Sequence, residues 1–170
     1  WFQLSTAKSE EKRPAAPTLD TPAWLPWVLE EQRACREDAV VFDQTSFSKF
    51  VLKGRDALAV LQRLCANEID VPPGRMVYTA MLNARGGFES DLTVLRVAER
   101  EFFILTGSAQ ATRDFSWIER HIGPDEHASL VDVTGAWSVI SVMGPKAQPL
   151  LESLSSDSLG RDALPFAHVA

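Results

Sequence analysis

The hydrophobic and polar positions of this chain change their spacing several times, and each spacing predicts an element. In residues 24–37, apolar side chains recur among charged ones after Pro26. Proline is well tolerated in the first turn of a helix, so a helix beginning near Pro26 is predicted. Residues 39–52 are rich in β-branched and aromatic side chains but are interrupted at 43–46, which predicts two short strands or one kinked strand.

A second helix is predicted directly after this strand region. Asp56 stands where an N-cap residue is expected, and the apolar residues that follow repeat at intervals of three and four. These residues are Ala57, Val60, Leu61 and Leu64. The helix is expected to end near Asn67, and the Pro and Gly residues of 71–74 predict a turn before the next strand.

The centre of the chain alternates in the manner of strands joined by short connections. Residues 76–82, 88–97 and 101–106 predict an antiparallel meander, with Gly86 and Gly87 forming the first turn. A helix over 108–122, strands over 129–133 and 137–143, and a helix from Gly144-Pro145 to Leu154 complete the pattern. This order predicts an α+β fold in which helices cover one face of a mainly antiparallel sheet.

Composition limits the function classes. The chain has 170 residues, 45% of them apolar, which is enough for one domain with a hydrophobic core. Its net charge of −6, with 17 basic residues scattered among 23 acidic ones, argues against a nucleic-acid partner. No apolar run is long enough to cross a bilayer, and the N-terminal residues lack the features of a secretory signal. We therefore expect an intracellular protein.

The residues most often used for metals give no such pattern here. Cys35 and Cys65 form no CxxC motif, and both are expected to be reduced thiols. The three histidines, His121, His127 and His168, show no ligand spacing with one another or with the cysteines, so no metal site is predicted. The chain also contains neither a GxGxxG motif nor a Walker loop.

Asp91 is the candidate for chemistry because it is a carboxylate set among the β-formers of the second meander strand. A buried carboxylate is costly unless it finds donors or faces a cavity. The alternative is an edge or turn-capping group, which strand carboxylates often are. Tyr78 suits either a pocket wall or edge packing, and alternating apolar residues such as Phe103 and Leu105 usually belong to a core.

Several separated segments, in the same order, resemble one family. They are VFDQTSFSKF, LQRLCANEIDVPPGRMVYTAMLNARGGFESDLTV, TGSAQATRDFSWIERHI and VMGPKA. Together they resemble the folate-binding domain of the glycine-cleavage T-protein (aminomethyltransferase) superfamily. Within it, they resemble most the tetrahydrofolate half of dimethylglycine and sarcosine dehydrogenases and of the pyruvate dehydrogenase phosphatase regulatory subunit. The resemblance implies the first part of the T-protein folate-binding fold.

The resemblance also implies roles for five residues. Asp91 matches the catalytic aspartate, which would accept a hydrogen bond from a folate amine, or take its proton, so that the amine can attack an electrophilic one-carbon unit bound as an iminium. Tyr78, Thr93, Phe103 and Leu105 match positions that face the folate pocket. Many T-proteins have Tyr at the Phe103 position, so one hydroxyl is absent here. In the family, the carboxylate that binds the pterin and the arginines that hold the substrate or the folate tail are expected beyond the position of Ala170.

The resemblance sets the expected domain organisation. Residues 1–22 have linker composition, and 23–170 are expected to form the N-terminal half of an incomplete folate-binding domain. In the dehydrogenases an FAD-binding domain lies upstream, so FAD is expected only on a domain absent from this chain. Weak folate binding at best, and self-association or pairing with the missing half, are expected of the chain alone.

Three functions remain open from the sequence. The first is a folate-dependent transfer domain that works on a one-carbon unit from a small N-methylated amine, in the cytoplasm or, in a eukaryote, the mitochondrial matrix. The second is a regulatory or scaffolding homologue without turnover. The third is a fragment that has no activity of its own.

Overall fold

A computed structural model describes residues 21–169 of the chain. The helices are α1 (Leu25–Glu37), α2 (Ala57–Leu64), α3 (Ala111–Arg120) and α4 (Ala147–Glu152). The strands are β1 (Val40–Asp43), β2 (Ser48–Lys53), β3 (Arg75–Leu82), β4 (Phe88–Ala98), β5 (Glu101–Thr106), β6 (Ser129–Asp132) and β7 (Ile140–Met143). No helix in this range is long and apolar enough to cross a membrane. The predicted linker, 1–22, lies outside the described residues except for its last two positions.

The strands form two sheets. The larger sheet has five strands in the order β3-β4-β5-β2-β6, and every pairing in it is antiparallel. Its β3-β4-β5 part is the meander that the alternating pattern predicts. The smaller sheet pairs β1 with β7, also antiparallel. The predicted α+β class and mainly antiparallel sheet are therefore confirmed.

Helices α2 and α3 cover one face of the larger sheet and build the core there. Four apolar residues of α2 are buried, namely Ala57, Val60, Leu61 and Leu64. They pack with alternate strand residues such as Phe50 and Ile104, and Phe115 of α3 meets Phe50 edge-on at a centroid distance of 5.3 Å. Each fully buried side chain of this kind contributes roughly 1.5–3 kcal/mol.

The turn between β3 and β4 is built by Asn83 and two glycines. The Gly86 N–H donates to the Asn83 carbonyl at 2.9 Å, and the Gly87 N–H donates to Asn83 Oδ1 at 2.9 Å. Gly86 has φ +75°, a conformation that glycine adopts without steric cost. The predicted glycine turn is therefore present, and its closure depends on the Asn83 side chain.

Asp56 is the N-cap residue of α2, as predicted, but its side chain makes no capping bond. Its Oδ2 instead accepts the His127 N–H at 2.7 Å, which ties the loop before β6 to the helix. Two expectations about element ends are wrong. Helix α2 ends at Leu64 rather than near Asn67, because the next residues turn to follow the edge of β3. The strand predicted over 137–143 is shorter, because residues 134–136 form a 3₁₀ turn and pairing with β1 begins only at Ile140.

Replacing Ile104 by Ala tests the core beneath α2 and α3. Ile104 is fully buried in β5, so the truncation should lower the free energy of unfolding by about 2–5 kcal/mol. The same change at Ile140, which is 53% exposed, should cost about 1 kcal/mol or less. Urea unfolding followed by circular dichroism measures both. Equal losses in the two variants would contradict this placement of the core.

Candidate functional site

The face of the larger sheet opposite the helices carries all five predicted site residues. Successive strand residues point to opposite faces, and in β4 the buried residues are Ser90, Leu92, Val94 and Arg96. Asp91 and Thr93 therefore lie on the other face, which we call the open face. Alternation in β3 and β5 places Tyr78, Phe103 and Leu105 there as well.

The strand register brings these residues into neighbouring rows. Tyr78 of β3 stands opposite Thr93 of β4, and Thr93 stands opposite Leu105 of β5. Phe103 lies opposite Leu95, one row further along. Directly opposite residues in a sheet are close enough for their side chains to touch. The five residues thus occupy adjoining positions on one surface.

Asp91 and Tyr78 make a direct hydrogen bond. The Tyr78 hydroxyl donates to Asp91 Oδ2 at 2.6 Å, diagonally across the β3-β4 pair. This bond, together with the negative charge of the carboxylate and partial desolvation, raises the pKa of Tyr78 above its ordinary value near 10. The phenol therefore stays protonated at neutral pH and holds one oxygen of Asp91.

Tyr78 is in turn supported from the edge of the sheet. The Asn67 side-chain amide donates to the Tyr78 carbonyl at 2.6 Å, and the Ala66 N–H donates to the Ala80 carbonyl at 2.8 Å. These bonds cover part of the outer edge of β3. Tyr78 itself remains 66% exposed, so it can contact a ligand on the open face.

A buried lysine on the open face was not predicted. Lys49 of β2 lies opposite Leu105 and is fully buried. Its Nζ donates to the Thr45 carbonyl at 2.8 Å and to the Trp137 carbonyl at 2.7 Å. A buried ammonium group needs acceptors for its three N–H donors, and here two carbonyls accept from it. Lys49 therefore joins the segment before β2 to the segment before β7.

The segment that Lys49 holds includes a second aromatic side chain. The Trp137 indole meets the Phe103 ring edge-on at a centroid distance of 6.2 Å and is 60% exposed. Its place before β7 gives no sign of this contact, since Phe103 belongs to a strand distant in the sequence. The open face thus ends in an aromatic pair beside the aliphatic and polar residues already described.

Two carboxyl groups, those of Asp43 and Asp132, are close enough to Lys49 to be affected by its charge. Hydrogen bonds from Thr45 are the largest cause of a lowered pKa for Asp43, and hydrogen bonds from Thr134 play the same part for Asp132. The charge of Lys49 lowers the pKa of both carboxyl groups further. The lysine is therefore balanced electrostatically by groups on both segments that it joins.

A cleft of about 310 Å³ lies elsewhere, on the helical side of the sheet. It is bounded by the end of α2, the β3-β4 turn and α3, and its lining includes Cys65, Asn83 and Trp117. None of the five predicted site residues lines it. Burial raises the pKa of the Cys65 thiol to about 12, so this sulfur is not a thiolate nucleophile at neutral pH.

The fold occurs in a solved enzyme structure. The crystal structure of glycine cleavage system aminomethyltransferase T from Bartonella henselae superposes with a TM-score of 0.73 at 24% identity. The match covers 83% of this chain and 38% of that protein. At this identity the likeness shows a shared α+β fold.

The sequence itself shows the family. The family model described as GCVT N-terminal domain matches residues 3–170, and the chain belongs to this family. Its aminomethyltransferase-type character, inferred above from four sequence segments, is thereby confirmed.

Three curated relatives illustrate the range of the family. The mitochondrial pyruvate dehydrogenase phosphatase regulatory subunit of Mus musculus is 35% identical over 87% of this chain. 4-methylaminobutanoate oxidase (formaldehyde-forming) of Paenarthrobacter nicotinovorans is 36% identical over 90%, and an aminomethyltransferase of Chloroherpeton thalassium is 30% identical over 88%. The chain spans 17%, 19% and 41% of the lengths of these proteins, in that order.

Replacing Asp91 by Asn should lower the pKa of Tyr78 towards its ordinary value. The neutral amide removes the negative charge that opposes ionisation of the phenol and weakens the hydrogen bond that keeps it protonated. Tyr78 is the single tyrosine of the chain, so the ultraviolet absorbance of tyrosinate during an alkaline titration reports on this residue alone. An unchanged titration would show that the two side chains do not interact in solution. Asp125→Asn, a change at an exposed loop carboxylate, serves as the control.

Proposed function

We propose that this chain carries part of a tetrahydrofolate-dependent one-carbon transfer domain. Residues 23–170 would be the N-terminal half of the folate-binding domain in a protein of the dimethylglycine or sarcosine dehydrogenase type, or of the glycine-cleavage T-protein type. Membership of the GCVT N-terminal domain family supports this proposal. The observation that carries it is the Asp91 carboxylate, held on the open face by Tyr78 at 2.6 Å.

The open face has the chemistry that a reduced folate would require. A pterin ring is flat and carries polar groups at its edges, so it suits apolar and aromatic surfaces with a few polar groups to orient it. Phe103 and Leu105 supply the apolar part, and Thr93 and Tyr78 supply hydroxyl groups. These residues would form one side of the folate site.

Asp91 is proposed as the catalytic residue. A reduced folate supplies an amine that accepts a one-carbon unit, and this amine must lose a proton as the new bond forms. A carboxylate has lone pairs on both oxygens for accepting hydrogen bonds. Because Tyr78 donates to Oδ2, Oδ1 is left for a second donor, and Asp91 can take the proton of the folate amine there.

The source of the one-carbon unit belongs to the same proposal. In the dehydrogenase-type arrangement, an FAD-binding domain outside this chain oxidises a small N-methylated amine and supplies the unit. The relative from Paenarthrobacter nicotinovorans is named as a formaldehyde-forming oxidase. The expected compartment is one that holds reduced folates, the cytoplasm or the mitochondrial matrix.

A regulatory homologue without turnover is the second candidate. The 35% identity to a protein named as a regulatory subunit favours it. The two candidates differ in a measurable way, because a regulatory homologue need not transfer a one-carbon unit even when the Asp91-Tyr78 bond is present.

The test is methylene transfer to tetrahydrofolate by the full-length parent protein. Asp91→Asn keeps the size of the side chain but removes the proton acceptor, so the rate constant for transfer should fall by a factor of about 100 or more. Asp125→Asn, remote from the open face, should transfer at the wild-type rate. Folate affinity, measured by calorimetry, should change much less than the rate.

Two results would contradict this proposal, the first in the role of Asp91 and the second in the function itself. Wild-type transfer kinetics in the Asp91→Asn protein would remove the catalytic role of Asp91. Absence of transfer by the wild-type parent, supplied with tetrahydrofolate and formaldehyde, would favour the regulatory homologue instead.

A further inference from the structure

A second aspartate, Asp114, lies beneath the candidate site, on the helical side of strand β4, which carries Asp91. Asp114, in α3, is 1% exposed. Its Oδ2 accepts hydrogen bonds from Ser90 Oγ of β4, at 2.7 Å, and from Thr106 Oγ1 of β5. Within residues 21–169, Oδ1 of Asp114 has no hydrogen-bond partner. Burying a carboxyl group with incomplete bonding costs stability, so its place here calls for a reason beyond packing.

The place where Asp114 binds β4 is a weak point in the sheet. On one side, the pairing of β4 with β5 ends at Leu92, opposite Thr106, so Asp91 has no partner in β5. On the other side, the register with β3 shifts between Met81, which faces Ser90, and Leu82, which faces Phe88. Such a bulge leaves an extra residue and bends the strand locally. Asp91 thus lies between a bulge and the end of a ladder.

Helix α3 holds this part of β4 at two points: Arg113 donates to the Glu89 carboxylate at 2.8 Å near the surface, and Asp114 binds Ser90 in the core. The Ser90 side chain enters the core while the side chain of Asp91, the next residue, points to the open face. The Ser90-Asp114-Thr106 bonds join β4 to β5 at Ser90, which lies two residues beyond Leu92, the last residue of β4 that pairs with β5. Holding Ser90 therefore determines where Asp91 can stand relative to Tyr78, which is anchored separately in β3.

We propose that Asp114 is a positioning residue: through Ser90 it holds the Asp91 carboxylate within hydrogen-bonding distance of Tyr78. Its importance for transfer rests on the function proposed above, but the geometric claim does not. Asp114 contacts neither the open face nor Tyr78, and it acts on them only through the strand. The alternative is that the three side chains merely stabilise the core.

A signal from Tyr78 separates these two roles. With tyrosine labelled at Cζ, NMR gives one tyrosine signal, and the fraction of Tyr78 ionised is measured at about pH 10.5, above the ordinary pKa. Asp91→Asn should increase the ionised fraction of Tyr78. Asp114→Asn and Ser90→Ala should each produce at least about half of that increase, because Asp91 would no longer be held next to Tyr78. Ile118→Val, a small truncation one turn further along α3, should lower stability without changing the fraction.

Ser90→Ala carries the test if Asp114→Asn does not fold, and circular dichroism at the same pH establishes that each protein is folded. A wild-type Tyr78 signal in folded Ser90→Ala protein would overturn the proposal. A similar increase in the ionised fraction of Tyr78 in Ile118→Val would also overturn the proposal, because any loss of core stability would then change the signal.

The parent protein supplies an independent readout. If Asp114 positions Asp91, Ser90→Ala should reduce kcat for transfer several-fold and leave KM for folate nearly unchanged. Absence of transfer in the wild type would reject the proposed function while leaving the Tyr78 result intact. A changed Tyr78 signal with unchanged kcat in Ser90→Ala would instead overturn the importance of this positioning for transfer.

Discussion

Along β4, alternate side chains either enter the core beneath α2 and α3 or stand on the open face, because successive residues of a strand point to opposite sides. Leu92 and Val94 enter the core, and Asp91 and Thr93 face outward. A slip of one residue would bury the carboxylate and expose the leucine, at a large cost in free energy. The apolar residues of β4 thus hold the candidate catalytic residue in place as an indirect result of their own burial.

Alternation decides which face a side chain is on, but it does not fix the exact positions of the strands. Two buried polar side chains, Lys49 and Asp114, restrain those positions further. Lys49 reaches from β2 to two backbone carbonyls on separate segments, and Asp114 reaches from α3 to hydroxyl groups on two strands. Apolar contacts are non-directional and tolerate small displacements, whereas hydrogen bonds fix distance and angle. Each of these residues restrains one side of the open face.

The elements that sequence could predict are those whose signal is local. The meander and the outward position of Asp91 follow from alternation, and α2 follows from the spacing of Val60, Leu61 and Leu64. The pairing of β1 with β7 could not be predicted in this way, because periodicity shows that a segment is a strand but does not identify its partner. The contact between Trp137 and Phe103 could not be predicted for the same reason, because the two residues are far apart in the sequence.

Polar residues with a long-range partner were the hardest to place. Asp56 has the local signature of an N-cap, yet its carboxylate receives the N–H of His127, so a tertiary partner replaced the local one. Lys49 and Asp114 look like solvated side chains in a strand and a helix, because their acceptors and donors lie far away in the sequence.

The resemblance to a family singled out Asp91, which the periodicity of the strand could not do. Alternation assigns Asp91, Thr93 and Leu95 equally to the open face, and nothing in their spacing ranks one above the others. The Tyr78 hydroxyl makes the distinction physically, since it bonds to Asp91 and to neither neighbour. A hydroxyl donor on one carboxylate oxygen limits the rotation of the side chain and directs the other oxygen. That restraint is what a proton acceptor on an open surface requires, and it is absent from a carboxylate that is only solvated.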